Sequence, residues 1–326
     1  MILAGDIGGT KTVLALLDSD DGVREPAVEK RFASKDFASL DEIVAAFLAE
    51  TNARPTVATF GIAGRIAGRR VRTTNLPWHI DADALEHAFG IRRVALINDV
   101  QAIALAVPHL RDDELCVLHE GRREEKGCIG VVAPGTGLGE SFLTWSGTAW
   151  QAWPTEGGHT SFAPVTLEQL ELLQYLERRY GHVSFERVCS GSGVPNIYDY
   201  LVASGRYEEP DWLREQVRTA ADITPVIVEA GLARTTPICI AALDLFVRVL
   251  GGVLGNMALR VMATGGLYLG GGIPPRIVER LRKRDVRDAI CFKGRFREWL
   301  SVIPVSVILD PKAALHGAAW HALESD

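Results

Sequence analysis

Cysteine is scarce and scattered. Cys116, Cys128, Cys189, Cys239 and Cys291 form no CxxC pair and no cluster with histidine. That excludes a zinc ribbon and a disulfide-stapled scaffold, and thiols so spaced suit a reducing cytoplasm. Positive charge is not in excess: 35 Lys and Arg against 41 Asp and Glu leave a net charge of −6. There is no basic field for nucleic acid, so no nucleic-acid partner is expected. No cleavable leader is expected ahead of the strand that begins at Ile2. One apolar run, residues 238–262, is long enough to cross a bilayer. Its interior carries Asp244, Arg248, Asn256 and Arg260, each costly in lipid, so it reads as a buried helix and no membrane partner is expected. Nothing is low-complexity. What remains is 326 residues, 47% hydrophobic and 23% charged, an ordinary soluble composition with material for two cores.

Residues 2–16 read as two short apolar strands joined by a turn of Asp6, Gly8 and Gly9. Glycine tolerates positive φ and lets another group approach the backbone closely. Asp6 ends the first strand with its carboxylate at the mouth of the turn. Thr10 adds a hydroxyl and Lys11 a cation. Free backbone N–H groups beside a hydroxyl and a cation suit a phosphate chain. A carboxylate beside them suits Mg²⁺, held through water. A β-hairpin without a ligand is the plain alternative.

Strands and helices then alternate. Residues 23–33 supply a third strand. Ser39 and Glu42 form a capping box for a helix with Leu40, Ile43, Val44, Phe47 and Leu48 at helical spacing. Residues 57–64 are a strand running into a Gly-rich turn, and 71–75 are another strand. Asp81 caps a helix through Phe89. Residues 93–97 form a strand with Asn98 and Asp99 at its C-terminal end, before a helix over 100–107 that Pro108 stops. Polar residues at strand C-terminal ends place the site of an α/β sheet at that edge.

The second half opens in the same way. Residues 129–143 read as strand, turn and strand, and Gly135-Thr136-Gly137 echoes Gly8-Gly9-Thr10. The echo suggests a duplicated domain pair closing on one phosphate chain. Thr166 caps a helix ended by Gly181, and further helices start at Ser184 and span 194–203, 212–221 and 225–229. Thr236-Pro237 starts a long helix that Gly265-Gly266 ends. Residues 267–269 form a strand leading into Gly270-Gly271-Gly272. Pro274-Pro275 opens a helix through Arg282. A strand over 302–309 and a helix over 312–323 close the chain. The last helix is expected to pack back on the N-terminal domain. This gives a small α/β domain of residues 1–109 plus 311–326 and a large α/β domain of 110–310 with helical insertions.

Asn98-Asp99 is the best candidate for the chemistry. Phosphoryl transfer to a hydroxyl needs a carboxylate that accepts the proton as the O–P bond forms. Asp99 has the type and the place, and Asn98 could hold a neighbouring hydroxyl; the same pair also reads as a helix cap. Glu156 and His159, three residues apart across Gly157-Gly158, suit vicinal sugar hydroxyls. A zinc site there would want three or four ligands, and no cysteine cluster follows. A polar surface turn is the plain alternative. Glu186 opens a helix and taken singly says little. Gly270-Gly271-Gly272 admits a nucleotide's ring or α-phosphate to the backbone, or simply close packing.

In order along the chain, Gly5-Asp6-Ile7-Gly8-Gly9-Thr10, Leu96-Ile97-Asn98-Asp99, residues 133–139, Glu156-Gly157-Gly158-His159, residues 182–188 and Gly270-Gly271-Gly272-Ile273 together resemble the bacterial glucokinase family. The resemblance covers nearly the whole chain. It implies the actin/hexokinase fold, with two ribonuclease-H-like lobes and an interlobe cleft, and ATP:glucose 6-phosphotransferase activity with Mg²⁺ in a cytoplasmic homodimer. By matching motif, Asp99 would be the base on the sugar's 6-hydroxyl. Asn98, Glu156, His159 and Glu186 would bind the other hydroxyls. Gly5, Asp6, Ile7, Gly8, Gly9 and Thr10, with Gly135, Thr136, Gly137 and on to Gly139, would hold the ATP phosphates. Gly271 and Gly272 would lie near the adenosine, and Asp6 would serve Mg²⁺. The related ROK sugar kinases carry a zinc-binding cysteine cluster soon after the Glu-Gly-Gly-His turn. Residues 160–165 here hold no cysteine, which favours the zinc-free group, whereas Lys11 is more typical of the ROK pattern.

The expected activity is therefore ATP-dependent phosphorylation of D-glucose, with domain closure excluding water. A kinase for another hexose or an amino sugar, or one using another donor, fits the same residues. A non-catalytic sugar-sensing regulator would want a helix-turn-helix or a basic patch, and the sequence shows neither.

Overall fold

Ile2–Ile7 (β1) and Lys11–Leu17 (β2) pair antiparallel with Ile7 opposite Thr12, so Gly8, Gly9 and Thr10 form the turn. The computed structural model describes residues 1–18 and 24–324. Its chain divides into two units, one of Met1–Glu114, Ser141–Pro154 and Asp310–Asp326, the other of Leu115–Glu140 and Thr155–Leu309.

In the first unit the chain continues through Val28–Ala33 (β3), Leu40–Thr51 (α1), Val57–Ile62 (β4), a three-stranded sheet of Gly64–Ala67 (β5), Arg70–Thr73 (β6) and His79–Asp81 (β7), then Ala82–Phe89 (α2), Arg93–Asn98 (β8) and Asp99–Ala106 (α3). The main sheet has the order β3-β2-β1-β4-β8. β1, β4 and β8 are parallel, with Asp6 beside Gly61 and Gly61 beside Ile97. Their C-terminal ends therefore share one edge. β1 and β4 are buried along nearly their whole length, the mark of parallel strands covered on both faces. Leu3, Leu14 and Phe60 pack with Ile43 and Phe47 of α1 on one face.

The second unit opens with Leu115–His119 (β9) and Ile129–Pro134 (β10), and Leu138–Trp145 (β11) and Trp150–Thr155 (β12) follow. Next come Leu167–Tyr180 (α4), Gly193–Ser204 (α5), Asp211–Thr219 (α6), Thr224–Leu232 (α7), Pro237–Val261 (α8), Gly266–Leu269 (β13), Val278–Leu281 (α9), Arg284–Cys291 (α10), Arg297–Leu300 (α11) and Val305–Ile308 (β14). β10, β13 and β14 are adjacent and parallel, and β9 closes the β14 side antiparallel. A hairpin followed by two further parallel strands thus recurs: β2-β1-β4-β8 in one sheet, β11-β10-β13-β14 in the other. α8 is long and apolar enough to cross a membrane, but 72% of its most apolar window is buried inside the protein. Leu243, Phe246, Leu250 and Leu254 are buried in the core of this unit. The last helix, Ala313–Glu324 (α12), returns to the first unit, where Leu315, Ala318, Ala319 and Ala322 cover the second face of β1 and β2.

Several local expectations need correction. Val23 lies outside the described residues, and the third strand begins at Val28. α8 is stopped by Met262 in the left-handed conformation (φ 52°), ahead of Gly265-Gly266. Glu42 caps the N–H of Ala38 rather than that of Ser39. Pro274–Ile277 is a 3-10 turn before α9, and Phe185–Arg187 is a single 3-10 turn. The strands β5, β7, β9 and β12 are absent from the sequence reading, because short edge strands carry little periodicity, and so are the helices α10 and α11. Residues 141–154 fall in the first unit, although the sequence reading assigns all of 110–310 to one domain.

Candidate active site

The first unit carries the motif residues 5–10 and 98–99 at one sheet edge. The turn closes by Gly8 N–H donating to the Lys11 carbonyl at 2.9 Å. Neither Gly8 nor Gly9 has positive φ. Glycine is required here for close approach: a Cβ on Gly9 would stand 2.6 Å from Asn75 Cβ, and one on Gly5 2.6 Å from Phe60 Cδ1. Ser34, which the sequence reading misses, braces the turn from below. Its Oγ donates to the Gly8 carbonyl at 2.8 Å and pairs with Thr12 Oγ1 at 3.0 Å, and its N–H donates to the Thr10 carbonyl at 3.1 Å. Asp6, one residue before the end of β1, is half-buried. Its carboxyl is pushed up to about 6: burial raises it most, Lys11 pulls it back, and the Asp99 carboxylate adds a smaller rise.

Asn98 closes β8 as the N-cap of α3. Its Oδ1 accepts the N–H groups of Val100 (3.0 Å) and Gln101 (3.3 Å), while Gln101 Oε1 accepts the Asn98 N–H in return. The capping and the ligand-binding readings of Asn98 are compatible, since the cap occupies Oδ1 and not the amide nitrogen. Asp99 takes the first helical position and accepts the Val100 N–H at 3.0 Å. Two glycines let α3, which begins at Asp99, pack closely on its neighbours. A Cβ on Gly61 would meet Ala102 Cβ at 3.0 Å and Asp99 Cα at 3.9 Å, and one on Gly317 of α12 would collide with the Ala102 carbonyl. Neither role is visible from sequence; both need the helix packing.

In the second unit the remaining motif residues gather at the C-terminal ends of β10 and β13. The turn closes by Gly135 N–H to the Gly137 carbonyl at 2.9 Å, and Gly191 N–H donates to the Gly135 carbonyl at 2.7 Å. Gly271 has φ +80°, and a Cβ there would stand 2.7 Å from the Pro134 carbonyl; Ile273 N–H reaches that same carbonyl at 3.3 Å. The loop 270–273 is thereby laid beside the turn 135–137. A Cβ on Gly135 or Gly272 would meet open space, so these backbones are accessible to a ligand.

Glu186 Oε2 accepts the Leu138 N–H at 2.9 Å, and its Oε1 lies 3.9 Å from His159 Nδ1. His159 Nε2 is 3.8 Å from Glu156 Oε2. Glu156, His159 and Glu186 thus form one cluster, with Glu156 and His159 largely exposed and Glu186 recessed. Behind them stands Glu140, which the sequence reading also misses. It is 3% exposed, burial raises its carboxyl pKa, and Arg260 Nη1 approaches at 3.5 Å. A Cβ on Gly157 would collide with Glu140 Oε2, and one on Gly158 with the Leu138 carbonyl. The Gly-Gly pair therefore seats Glu156 and His159 on this support. Among the described residues no group of three or more His, Cys, Asp or Glu could hold a metal ion.

The family model described as Glucokinase matches residues 3–325. The glucokinase of Nostoc punctiforme is 36% identical, covering 98% of this chain and 98% of its own length. The crystal structure of a glucokinase from an Antarctic psychrotroph superposes with a TM-score of 0.85 at 31% identity, covering 99% of this chain and 98% of that one. A ROK family glucokinase from Streptomyces griseus, solved with glucose and AMPPNP, reaches 0.62 at 19% identity, covering 99% of each chain, a likeness that shows the fold alone. Both the repeated hairpin-and-parallel-strand sheets and these superpositions give the actin/hexokinase-like fold. With a match that runs from the first strand to the last helix, the chain belongs to the glucokinase family.

Proposed function

We propose that this protein transfers the γ-phosphoryl group of ATP to the 6-hydroxyl of D-glucose, with Asp99 as the general base. The observation that carries the reading is the place of Asp99. It stands at the parallel-strand edge, on a capped helix N-terminus, beside the glycine hairpin and Asp6. Asp99 takes the proton of the 6-hydroxyl as the O6–P bond forms and the bond from the γ-phosphorus to the β,γ-bridging oxygen breaks, releasing ADP. Asn98, Glu156, His159 and Glu186 hold the other sugar hydroxyls. Residues 5–10 and 135–137 hold the phosphates, through the turn backbones at Gly9-Thr10 and Thr136-Gly137 and the Thr10 and Thr136 hydroxyls, since the Gly8 and Gly135 N–H groups close their own turns. Gly271 and Gly272 lie along the nucleoside.

The donor set fits Mg²⁺, a hard cation that takes one or two carboxylates plus phosphates and water. Asp6 is a half-buried carboxylate with a raised pKa and a second carboxylate nearby, so a dication relieves both the desolvation and the repulsion. When bound it supplies neutralisation of the triphosphate charge. The lack of cysteine in residues 160–165 supports the zinc-free group rather than ROK. We further read the protein as a cytoplasmic homodimer with no nucleic-acid or membrane partner. The test is an ADP-coupled assay over a panel of hexoses, amino sugars and phosphoryl donors, with wild type and Asp99→Asn. Turnover on glucose with ATP that Asp99→Asn leaves intact refutes the role of Asp99. Absence of turnover on glucose refutes the substrate.

A further inference from the structure

The second unit holds a cavity that the phosphoryl-transfer reading does not use. Its floor is apolar, formed by Leu281, Val286, Ile290 and Val305. Its rim is cationic, formed by Arg282, Lys283, Arg284 and Arg287, with His119 beside them. Two of these cations have carboxylate partners: Arg282 pairs with Glu279 at 3.0 Å, and Arg284 reaches Asp288 at 3.7 Å. Lys283 and Arg287 have no carboxylate among the described residues. Arg287 Nη2 and His119 Nε2 both donate to the Ser301 carbonyl, at 3.4 and 2.7 Å, which holds them at the rim. Positive charge is therefore concentrated over a greasy floor on a protein whose net charge is −6.

The cavity is remote from the nucleotide loops of the same unit. Val305 starts β14 and stands beside Leu267 near the start of β13, whereas Gly271 and Gly272 follow the far end of β13. The two sites lie at opposite ends of the parallel strands of one sheet. We propose that this cavity binds a small phosphomonoester, its phosphate on Lys283 and Arg287 and its carbon body on the apolar floor. A planar guanidinium and a mobile ammonium are the groups that recognise phosphate in this way, and concentrated charge in a recess attracts anions over distance.

The test is equilibrium binding of inorganic phosphate and of glucose 6-phosphate, each with saturating glucose and a non-hydrolysable ATP analogue present. Wild type is compared with the double variant Lys283→Ala/Arg287→Ala. The double variant should keep its glucose phosphorylation, which shows that it folds. The proposal holds if wild type retains phosphate binding that the analogue does not displace and the double variant binds about tenfold more weakly or worse. It fails if neither anion binds under these conditions, if the analogue displaces all of it, or if the double variant binds equally well.

Discussion

Glu186 and Leu138 are joined by one hydrogen bond: the Leu138 N–H donates to Glu186 Oε2 at 2.9 Å. It ties the carboxylate assigned to a sugar hydroxyl to the backbone of the phosphate turn. Gly137 makes the approach possible, since a Cβ there would stand 2.5 Å from the same oxygen. Gly137→Ala should therefore push Glu186 aside while leaving the strands in place. A charge-assisted bond of this kind contributes about 1.5–3 kcal/mol. The expected outcome is a KM for glucose raised roughly 10- to 100-fold, with kcat changed far less. Steady-state kinetics at fixed saturating ATP decide it, and an unchanged KM removes Glu186 from the sugar site.

Asp99→Asn keeps the shape and the helix position but cannot accept a proton. Loss of a positioned general base costs about 10²–10⁴ in turnover. Glucose affinity, followed by intrinsic tryptophan fluorescence, should stay within a few-fold of wild type. A loss of affinity equal to the loss of turnover would make Asp99 a binding group and not the base.

Much of this site is legible in the sequence because glycine and carboxylate spacings are local. Residues 5–10, 98–99, 135–137 and 156–159 are each a few consecutive positions at or beside a strand end. The supports are not legible, because they come from packing between distant segments. Ser34 reaches Gly8 across 26 positions, Glu140 lies under Gly157, and Gly317 meets α3 only after the C-terminal helix has returned. The end of α8 is not legible for a related reason. Gly265-Gly266 looks like the stop, yet Met262 takes the left-handed position three residues earlier.

That position makes a stability prediction. A non-glycine residue in the left-handed region costs about 1–2 kcal/mol, and glycine's extra freedom in the unfolded chain gives back about 0.5–1. Met262 is half exposed, so little packing is lost on truncation. Met262→Gly should raise stability by about 0.5–1 kcal/mol, read as a higher urea midpoint with unchanged slope. A lower midpoint means that the Met262 side chain contributes packing that outweighs its backbone cost.

Asp6 gives a pH signature whose sign follows from its raised pKa. Its ordinary value is 3.8 and its folded value about 6, so between those limits the folded protein binds the proton more tightly than the unfolded chain. Ionised Asp6 therefore opposes folding, and its penalty grows as pH rises from about 4 to 6 and is full above that. At 1.36 kcal/mol per pKa unit the penalty is on the order of 3 kcal/mol. Asp6→Asn removes it. In urea titrations without nucleotide or metal, the variant should match wild type near pH 4 and exceed it by up to about 3 kcal/mol at pH 7–8. The same variant should lose Mg²⁺-dependent ATP turnover, because the carboxylate that destabilises the empty protein is the one proposed above to meet the cation. A variant no more stable than wild type at pH 8 would place Asp6 in water, and one that still turns over ATP with Mg²⁺ would move the cation elsewhere.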